Sequence, residues 1–421
     1  MAKHDLIARQ QAELVARNSY GRLLALLAAR SGDIASSEDA LSDALVQALV
    51  TWPEAGVPAN PDGWVFAVAR NRLRDRYRSA PVRTSVPLDD NDVAHDGALE
   101  NVPDVDAIPD KRLALLFTCA HPAIDPAIRT PLMLQTVLGL DAERIAAAYA
   151  LPAPAMSQRL VRAKKRIRNA RIPFRVPDRS EMPARLPAVL EAIYGAYAID
   201  WQQISGPSLL ETLSGEALYL AELLAELLPE EPESLGLAAL ILLSLSRSAA
   251  RTGPDGAPVA LENQDTRLWD TAKIDRGERY LLRAHALGRI GRFQIEAAIQ
   301  SVHCDSARTG TTDWHALRVL SDSLLRVAPT LGAEVSLAAV IAEMDGPPAG
   351  LSALDGIRTA GVERFQPAWA TRAHLLAQTG RSAEAAVAYD KALSLTTDAP
   401  TRAWLAERAV EARRLSGSAT G

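Results

Sequence analysis

At 421 residues the chain is too long for one ordinary hydrophobic core, so two or three domains are expected. Ala and Leu dominate, aromatics make up 5% and runs of Val, Ile and Thr are scarce, which argues for an all-α protein and against sheet architectures. The net charge of -5 rules out a uniformly basic chain, so any nucleic-acid contact has to be local.

Residues 10–80 read as helical. Leu23, Leu24 and Leu27, then Ala40, Leu41, Ala44, Leu45 and Leu49, recur at helical spacing. Ser36-Ser37-Glu38-Asp39 carries capping hydroxyls and first-turn acids and predicts a helix start. Pro53, Gly56, Pro58 and Pro61 predict a loop over Trp52–Pro61. A third helix is expected over Asp62–Arg78, where the run Arg70, Arg72, Arg74, Arg76 and Arg78 holds one acid, Asp75. A helix turns every 3.6 residues, so these alternate arginines cannot share one face. Trp52, Trp64 and Phe66 sit beside them, and Asn60 and Asn71 add amide groups suited to base edges. Trp64 fits either core packing or base stacking.

Residues 81–109 read as an acidic linker. Around them stand Asp89, Asp90, Asp92, Asp96, Glu100, Asp104, Asp106 and Asp110, with four prolines and no Lys or Arg after Arg83. Residues 110–175 are again helical and end in a helix-turn-helix pattern. Ile145, Ala146 and Tyr149 suit a short first helix, Leu151-Pro152 breaks it, and a second helix starts near Pro154. From Gln158 to Arg175 there are eight basic residues and no acid: Arg159, Arg162, Lys164, Lys165, Arg166, Arg168, Arg171 and Arg175. Such a run is either a solvated face or a phosphate-binding surface. In the DNA reading Ser157, Gln158 and Arg159 address base edges, with Arg162 a further candidate. Lys164, Lys165, Arg166 and Arg168 then grip phosphate, and Met156 belongs to the core.

Residues 179–415 are Leu- and Ala-rich helices broken by Gly and Pro. Gly346-Pro347-Pro348-Ala349 and Gly380-Arg381-Ser382-Ala383 stand 34 positions apart, the period of tetratricopeptide helix pairs. Gly380–Leu393 fits the second helix of such a unit, and Arg276–Gly288 followed by Gly291–Ile299 reads as a degenerate copy. Stacked units would bury a shared core and leave a concave face for a partner.

Cys119 and Cys304 lie far apart and suit a reducing compartment. The N-terminal stretch has no signal-peptide core, and the apolar run Leu235–Leu245 is too short to cross a bilayer. A cytoplasmic protein without a membrane partner is expected. Cys119 and His121 lack companions for a metal site, and no phosphate-binding glycine loop or nucleophile elbow occurs. The expectation is no catalytic residue, no metal, no cofactor and no enzyme activity.

The order of these parts resembles extracytoplasmic-function sigma factors. SSEDALSDALVQALVTWPEAG and NPDGWVFAVARNRLRDRYR resemble their second conserved region, and LLFTCAHPAIDPAIRTPLMLQTVLGLDAERIAAAYALPAPAMSQRLVRAKKRIR resembles their fourth. The rest is similar to the long extension of one sigma-factor group, through LLPEEPESLGLAALILL, ENQDTRLWD, GRFQIEAAI and TDW. Three stretches depart from that group: Gly195-Ala196-Tyr197-Ala198-Ile199-Asp200-Trp201, Glu334–Ala338 where an Asn-Arg pair is expected in the later repeat, and Cys119-Ala120-His121-Pro122 in place of Cys-Cys-His-Pro. The implied fold is all-α, with two small helical sigma domains, the second holding a helix-turn-helix, followed by a helical tetratricopeptide-like domain.

The resemblance also implies partners. Core RNA polymerase would be held through its clamp and flap, with the clamp on Glu38–Thr51, where Asp39 and Asp43 share a face. Promoter DNA would meet Asn60, Trp64, Arg70, Asn71, Arg74 and Arg78 at the -10 element. The helix from Ser157 to Arg168 would meet the -35 element. The extension would regulate activity through a protein or ligand partner. Two other readings fit the same residues: a helix-turn-helix regulator acting without polymerase, and a repeat scaffold whose sigma-like half is inactive.

Overall fold

The computed structural model describes residues 2–79, 109–149, 151–172, 174, 177, 181–201, 213–254, 256–396 and 398–418. The acidic linker up to residue 108, and Arg175, lie outside the described residues. Among those described the chain is helical, with one isolated antiparallel bridge between Thr252 and Pro258 and no strand. It divides into two units, Met1–Ile199 and Asp200–Gly421.

Unit 1 starts with α1 (Ala2–Asn18), α2 (Tyr20–Ser31), α3 (Ile34–Ala55) and α4 (Pro61–Ser79). Gly32, with φ 66°, closes α2 by donating its N–H to Ala28. Asp33 then caps α3, accepting from the N–H groups of Ala35 and Ser36 at 3.1 and 3.2 Å. The helix therefore begins two residues before the expected Ser36, because the aspartate takes the capping role from the serines. It also runs through the expected loop start, past Pro53 to Ala55. Trp52, fully buried, anchors that last turn, and a proline there removes one helical N–H only. Leu23, Leu24, Leu27, Ala40, Leu41 and Ala44 are buried as their spacing predicts. Leu49, expected in the same stripe, faces outward.

The unit continues with α5 (Pro109–Cys119), α6 (Pro126–Thr136), α7 (Ala142–Ala148), α8 (Ala153–Asn169) and α9 (Leu186–Trp201). The α7–α8 pair is the expected helix-turn-helix, with Pro152 in extended conformation at the N-cap of α8 and Pro154 in its first turn. α2 packs on α5, and α8 packs on both α6 and α3. Gly21 sets how closely α2 approaches the end of α6: a Cβ there would lie 1.7 Å from the carbonyl oxygen of Val137. The two helical regions on either side of the acidic linker therefore share one packed unit.

Unit 2 holds α10 (Leu213–Leu227), α11 (Pro232–Leu245), α12 (Thr271–Ala286), α13 (Arg292–Thr309), α14 (Trp314–Val327), α15 (Leu331–Asp345), α16 (Pro347–Gly356), α17 (Gln366–Gln378), α18 (Ser382–Ser394) and α19 (Ala399–Ser418). α11 is apolar on all sides because α10, α12 and α13 surround it. Pro232–Ala250 is long and apolar enough to cross a membrane by composition, and most of it is buried inside the unit. The hairpins α15–α16 and α17–α18 repeat with both helix starts 35 residues apart, Leu331 to Gln366 and Pro347 to Ser382. Each second helix follows a left-handed glycine, Gly346 at φ 92° and Gly380 at φ 74°. Val335, Ala338, Leu351, Leu354, Leu375, Ala385, Tyr389 and Leu405 form the continuous core of these hairpins and α19.

Candidate nucleic-acid and polymerase interfaces

α8 separates its side chains into two faces. Met156, Leu160, Ala163 and Ile167 are buried against the unit. Ser157, Gln158, Arg162, Lys165, Arg166 and Arg168 are exposed, and Arg159 is half-buried. Arg159, Arg162 and Lys165 make no ion pair with a described residue, so an exposed basic surface with free guanidinium and ammonium groups runs along the helix. Arg166 donates to the carbonyl of Ala123 at 3.3 Å.

Lys164 departs from the expected phosphate-gripping role. Its side chain is 9% exposed and pairs with Glu38 on α3, itself 15% exposed. Spacing explains this: Lys164 stands four residues from Leu160 and three from Ile167, on the buried side. Burial pushes the Glu38 carboxyl above the usual carboxylate range, and the nearby Lys164 charge opposes that shift without cancelling it. Glu38 Oε1 is buried without a hydrogen-bond partner among the described residues. Arg168 is divided between roles, half-exposed yet 3.3 Å from Asp33 Oδ2.

The arginines of α4 also divide. Arg72 donates to Gln47 at 2.8 Å and to Asp43 at 3.4 Å, and Arg76 donates to Asp39 at 3.0 Å and Asp43 at 3.4 Å. These two knit α4 to α3. Arg70, Arg74 and Arg78 follow at i, i+4 and i+8 on a different stripe, with Arg74, Arg78 and the neighbouring Asn71 exposed. Asn60 caps α4, its Oδ1 accepting the Gly63 N–H at 2.8 Å, which leaves its amide nitrogen for another partner. Trp64 is half-buried and meets the buried Trp52 edge-on, with ring centroids 5.5 Å apart. Phe66 is core. An open cleft of about 330 Å³ lies beside the start of α4, between Gln11, Leu14 and Val15 of α1 and Ala59, Asn60 and Asp62. Asp62 is fixed there by Ser19 at 2.6 Å and Arg22 at 3.0 Å.

On α3, Asp39 and Asp43 are followed at helical spacing by Val46 and Val50, which are 61% and 70% exposed. Leu49 lies beside them. The result is a stripe that is acidic at one end and apolar at the other. The sequence suggests an acidic and apolar face here and names its acids, but not Val46 and Val50, although the i, i+4, i+7, i+11 spacing from Asp39 is visible. Elsewhere, Cys119 is fully buried against Thr136, its thiol pushed up to about 12 by burial, and His121 Nδ1 accepts the Ala123 N–H at 3.1 Å. Among the described residues no three His, Cys, Asp or Glu side chains cluster as metal ligands.

Comparison with known proteins places this geometry in a lineage. Residues 15–81, the span of α2–α4 and the end of α1, match the model for sigma-70 region 2. Residues 185–285 match a family of unknown function, DUF6596. No solved structure matches. The N-terminal part is thus a sigma-70 region 2 domain, the hallmark of a transcription initiation factor that works with RNA polymerase. An uncharacterized protein of Rhizobium meliloti (strain 1021) is 35% identical over 379 residues, covering 88% of each chain, and the present chain belongs to the same family.

Proposed function

We propose that the chain is an alternative sigma factor of the extracytoplasmic-function type, working in the cytoplasm to direct core RNA polymerase to a particular promoter class. The observation that carries this reading is the α3–α4 pair within the region 2 match. It turns an acidic-apolar stripe outward on one helix and an arginine stripe outward on the other. The α3 stripe of Asp39, Asp43, Val46 and Val50 docks on the polymerase clamp. A half-apolar face adds desolvation to charge complementarity, which suits a stable partner better than charge alone.

The α4 side holds the melted strand at the -10 element. Arg70, Arg74 and Arg78 track phosphates, Asn60 and Asn71 address base edges, and Trp64 supplies a flat edge over the Trp52 ring. α8 reads the -35 duplex, with Ser157, Gln158, Arg159 and Arg162 toward bases and Lys165, Arg166 and Arg168 toward phosphates. The flap is the polymerase element expected next to this helix pair. The repeating hairpins of unit 2, with their 35-residue spacing and glycine turns, support a tetratricopeptide-like extension that regulates the factor through a protein or ligand partner.

The test is to mix the purified full-length chain with core polymerase and a promoter library, then map transcript starts. A sigma factor gives new starts that need the chain. DNA binding without new starts identifies a regulator that acts without polymerase docking. Neither activity identifies a scaffold.

A further inference from the structure

α8 buries four apolar side chains and leaves one large one in solvent. Val161 is 64% exposed, while Met156, Leu160 and Ile167 are at most 2% exposed. An exposed valine in mid-helix gains nothing from packing and is a poorer helix former than the Lys, Arg or Gln around it. A single exposed apolar residue is ordinary on most surfaces. Its place here is not ordinary. Ser157 and Gln158 stand one turn before it, and Arg162 and Lys165 stand beside it and one turn after, all on the outward side. Val161 is therefore an apolar centre in a polar and cationic face on the second helix of a helix-turn-helix.

A recognition helix in the major groove meets four kinds of base edge, and only thymine offers a methyl group there. We propose that Val161 packs on the 5-methyl group of a thymine and makes that base a determinant of promoter choice. The flanking side chains complete the contact. Gln158 addresses the adjacent base edge, Arg162 a base or phosphate, and Lys165 the backbone. The inference rests on the reading of α8 as a DNA-recognition helix and goes beyond it, because it assigns one base type to one side chain.

The experiment uses the full-length chain with core polymerase. Duplexes are first selected from a random library. Each thymine of the selected site is then replaced singly by deoxyuridine, which removes only the methyl group. One replacement inside the α8 footprint is expected to weaken the wild type about fourfold, the effect of one buried methyl-sized group. It should fall next to the base pair whose preference is lost in Gln158→Ala. The same replacement should leave Val161→Ala unaffected, and Val161→Ile should keep the sensitivity. Val161→Ala removes only exposed atoms and raises helix propensity, so its melting temperature should not fall below the wild type's. A site at which no thymine methyl matters, or one at which the methyl effect persists in Val161→Ala, overturns the proposal while leaving DNA recognition by α8 intact. Failure to select any duplex overturns both, and so marks itself off from failure of the valine contact alone.

Discussion

Lys164 of α8 and Glu38 of α3 form a largely buried ion pair, which ties the helix-turn-helix to the sigma-70 region 2 helices. Burial raises the Glu38 pKa more than the lysine lowers it, so the charged carboxylate is net disfavoured in place. Such a pair specifies an arrangement more than it stabilises one. Lys164→Met should cost about 3 kcal/mol at pH 8 by stranding the carboxylate, and less at pH 5, because burial favours the neutral carboxyl and acid lowers the cost of protonating it. The double variant Lys164→Met with Glu38→Leu should return to within about 1 kcal/mol of the wild type, since both desolvation penalties vanish. Linkage gives a matching sign. A raised carboxyl pKa contributes stability at low pH that is lost as pH rises through the folded value, so the Lys164→Met deficit grows with pH. Urea unfolding of these three proteins at the two pH values reads this out, and equal deficits in the single and double variants would contradict it.

The same contact bears on promoter binding. Unit 1 spans 199 residues and as a compact body is roughly 40 Å across. The -10 and -35 elements lie about 25 base pairs apart, roughly 85 Å along the duplex at 3.4 Å per step. If α4 and α8 meet these two elements as proposed, α8 clasped to α3 cannot let both be reached at once. Core polymerase is therefore expected to part them. Dyes on Glu54→Cys and Asn169→Cys, both exposed positions, should lose energy transfer when core polymerase is added. The native Cys119 and Cys304 are buried and do not interfere with labelling. Unchanged transfer in a transcriptionally active complex would show that the clasp stays closed.

Gly21 offers a test in which the usual sign reverses. Glycine to alanine inside a helix ordinarily stabilises by about 0.5–1 kcal/mol. Here the new methyl would lie 1.7 Å from a backbone carbonyl that cannot swing away. Gly21→Ala should destabilise unit 1 by about 2 kcal/mol or more, through the overpacking it forces between α2 and the end of α6. A thermal melt decides, and a rise in melting temperature would mean that the two helices stand further apart than described.

Much of this architecture is legible in the sequence alone. Apolar spacing places α2 and α3, the prolines up to Pro61 mark the start of α4, Pro152 marks the turn before α8, and the glycines 34 apart mark the repeated hairpins. Boundaries shift where two capping residues compete, as Asp33 does with Ser36 and Ser37, and where a buried Trp52 carries a helix past a proline. Lys164 shows a deeper limit. A lysine in a run of basic residues looks like its neighbours in one dimension, and only the partner 126 positions away separates it from them. The pairing of Arg72 and Arg76 with α3 is similar in kind. Periodicity says that alternate arginines must part, but which half turns inward depends on where α3 lies.

The α3 stripe separates a docking surface from a merely solvated one. Val46→Asp and Val50→Asp alter exposed side chains, so each should move stability by less than about 0.5 kcal/mol. At a polymerase interface, the same changes desolvate a charge against an apolar contact and should weaken binding of core polymerase tenfold or more, about 1.4 kcal/mol. Asp39→Asn and Asp43→Asn each remove one charged partner from the exposed pairs of Arg76 and Arg72 and should have smaller effects on stability still. Titration of labelled full-length chain with core polymerase measures all four. Wild-type affinity in both valine variants would move the interface off this stripe.

In unit 2, His303 on α13 is an acid-sensitive group. It lies largely buried, edge-on to Trp314 at 6.4 Å. Burial, helped by the Arg247 charge, lowers its pKa from an ordinary 6.5 to about 4. The neutral ring is therefore native, and the unfolded chain binds the proton first. Stability from this group is complete above pH 6.5 and is lost as pH falls from there toward 4, at up to about 1.4 kcal/mol per pH unit. Between pH 6.5 and 5 that amounts to about 1.5 kcal/mol. His303→Gln removes the titration, so its urea midpoint should fall less than that of the wild type over this interval. Arg247→Met should narrow the window by letting the His303 pKa rise. Parallel acid profiles for wild type and His303→Gln would show that the imidazole is already solvated in the folded protein.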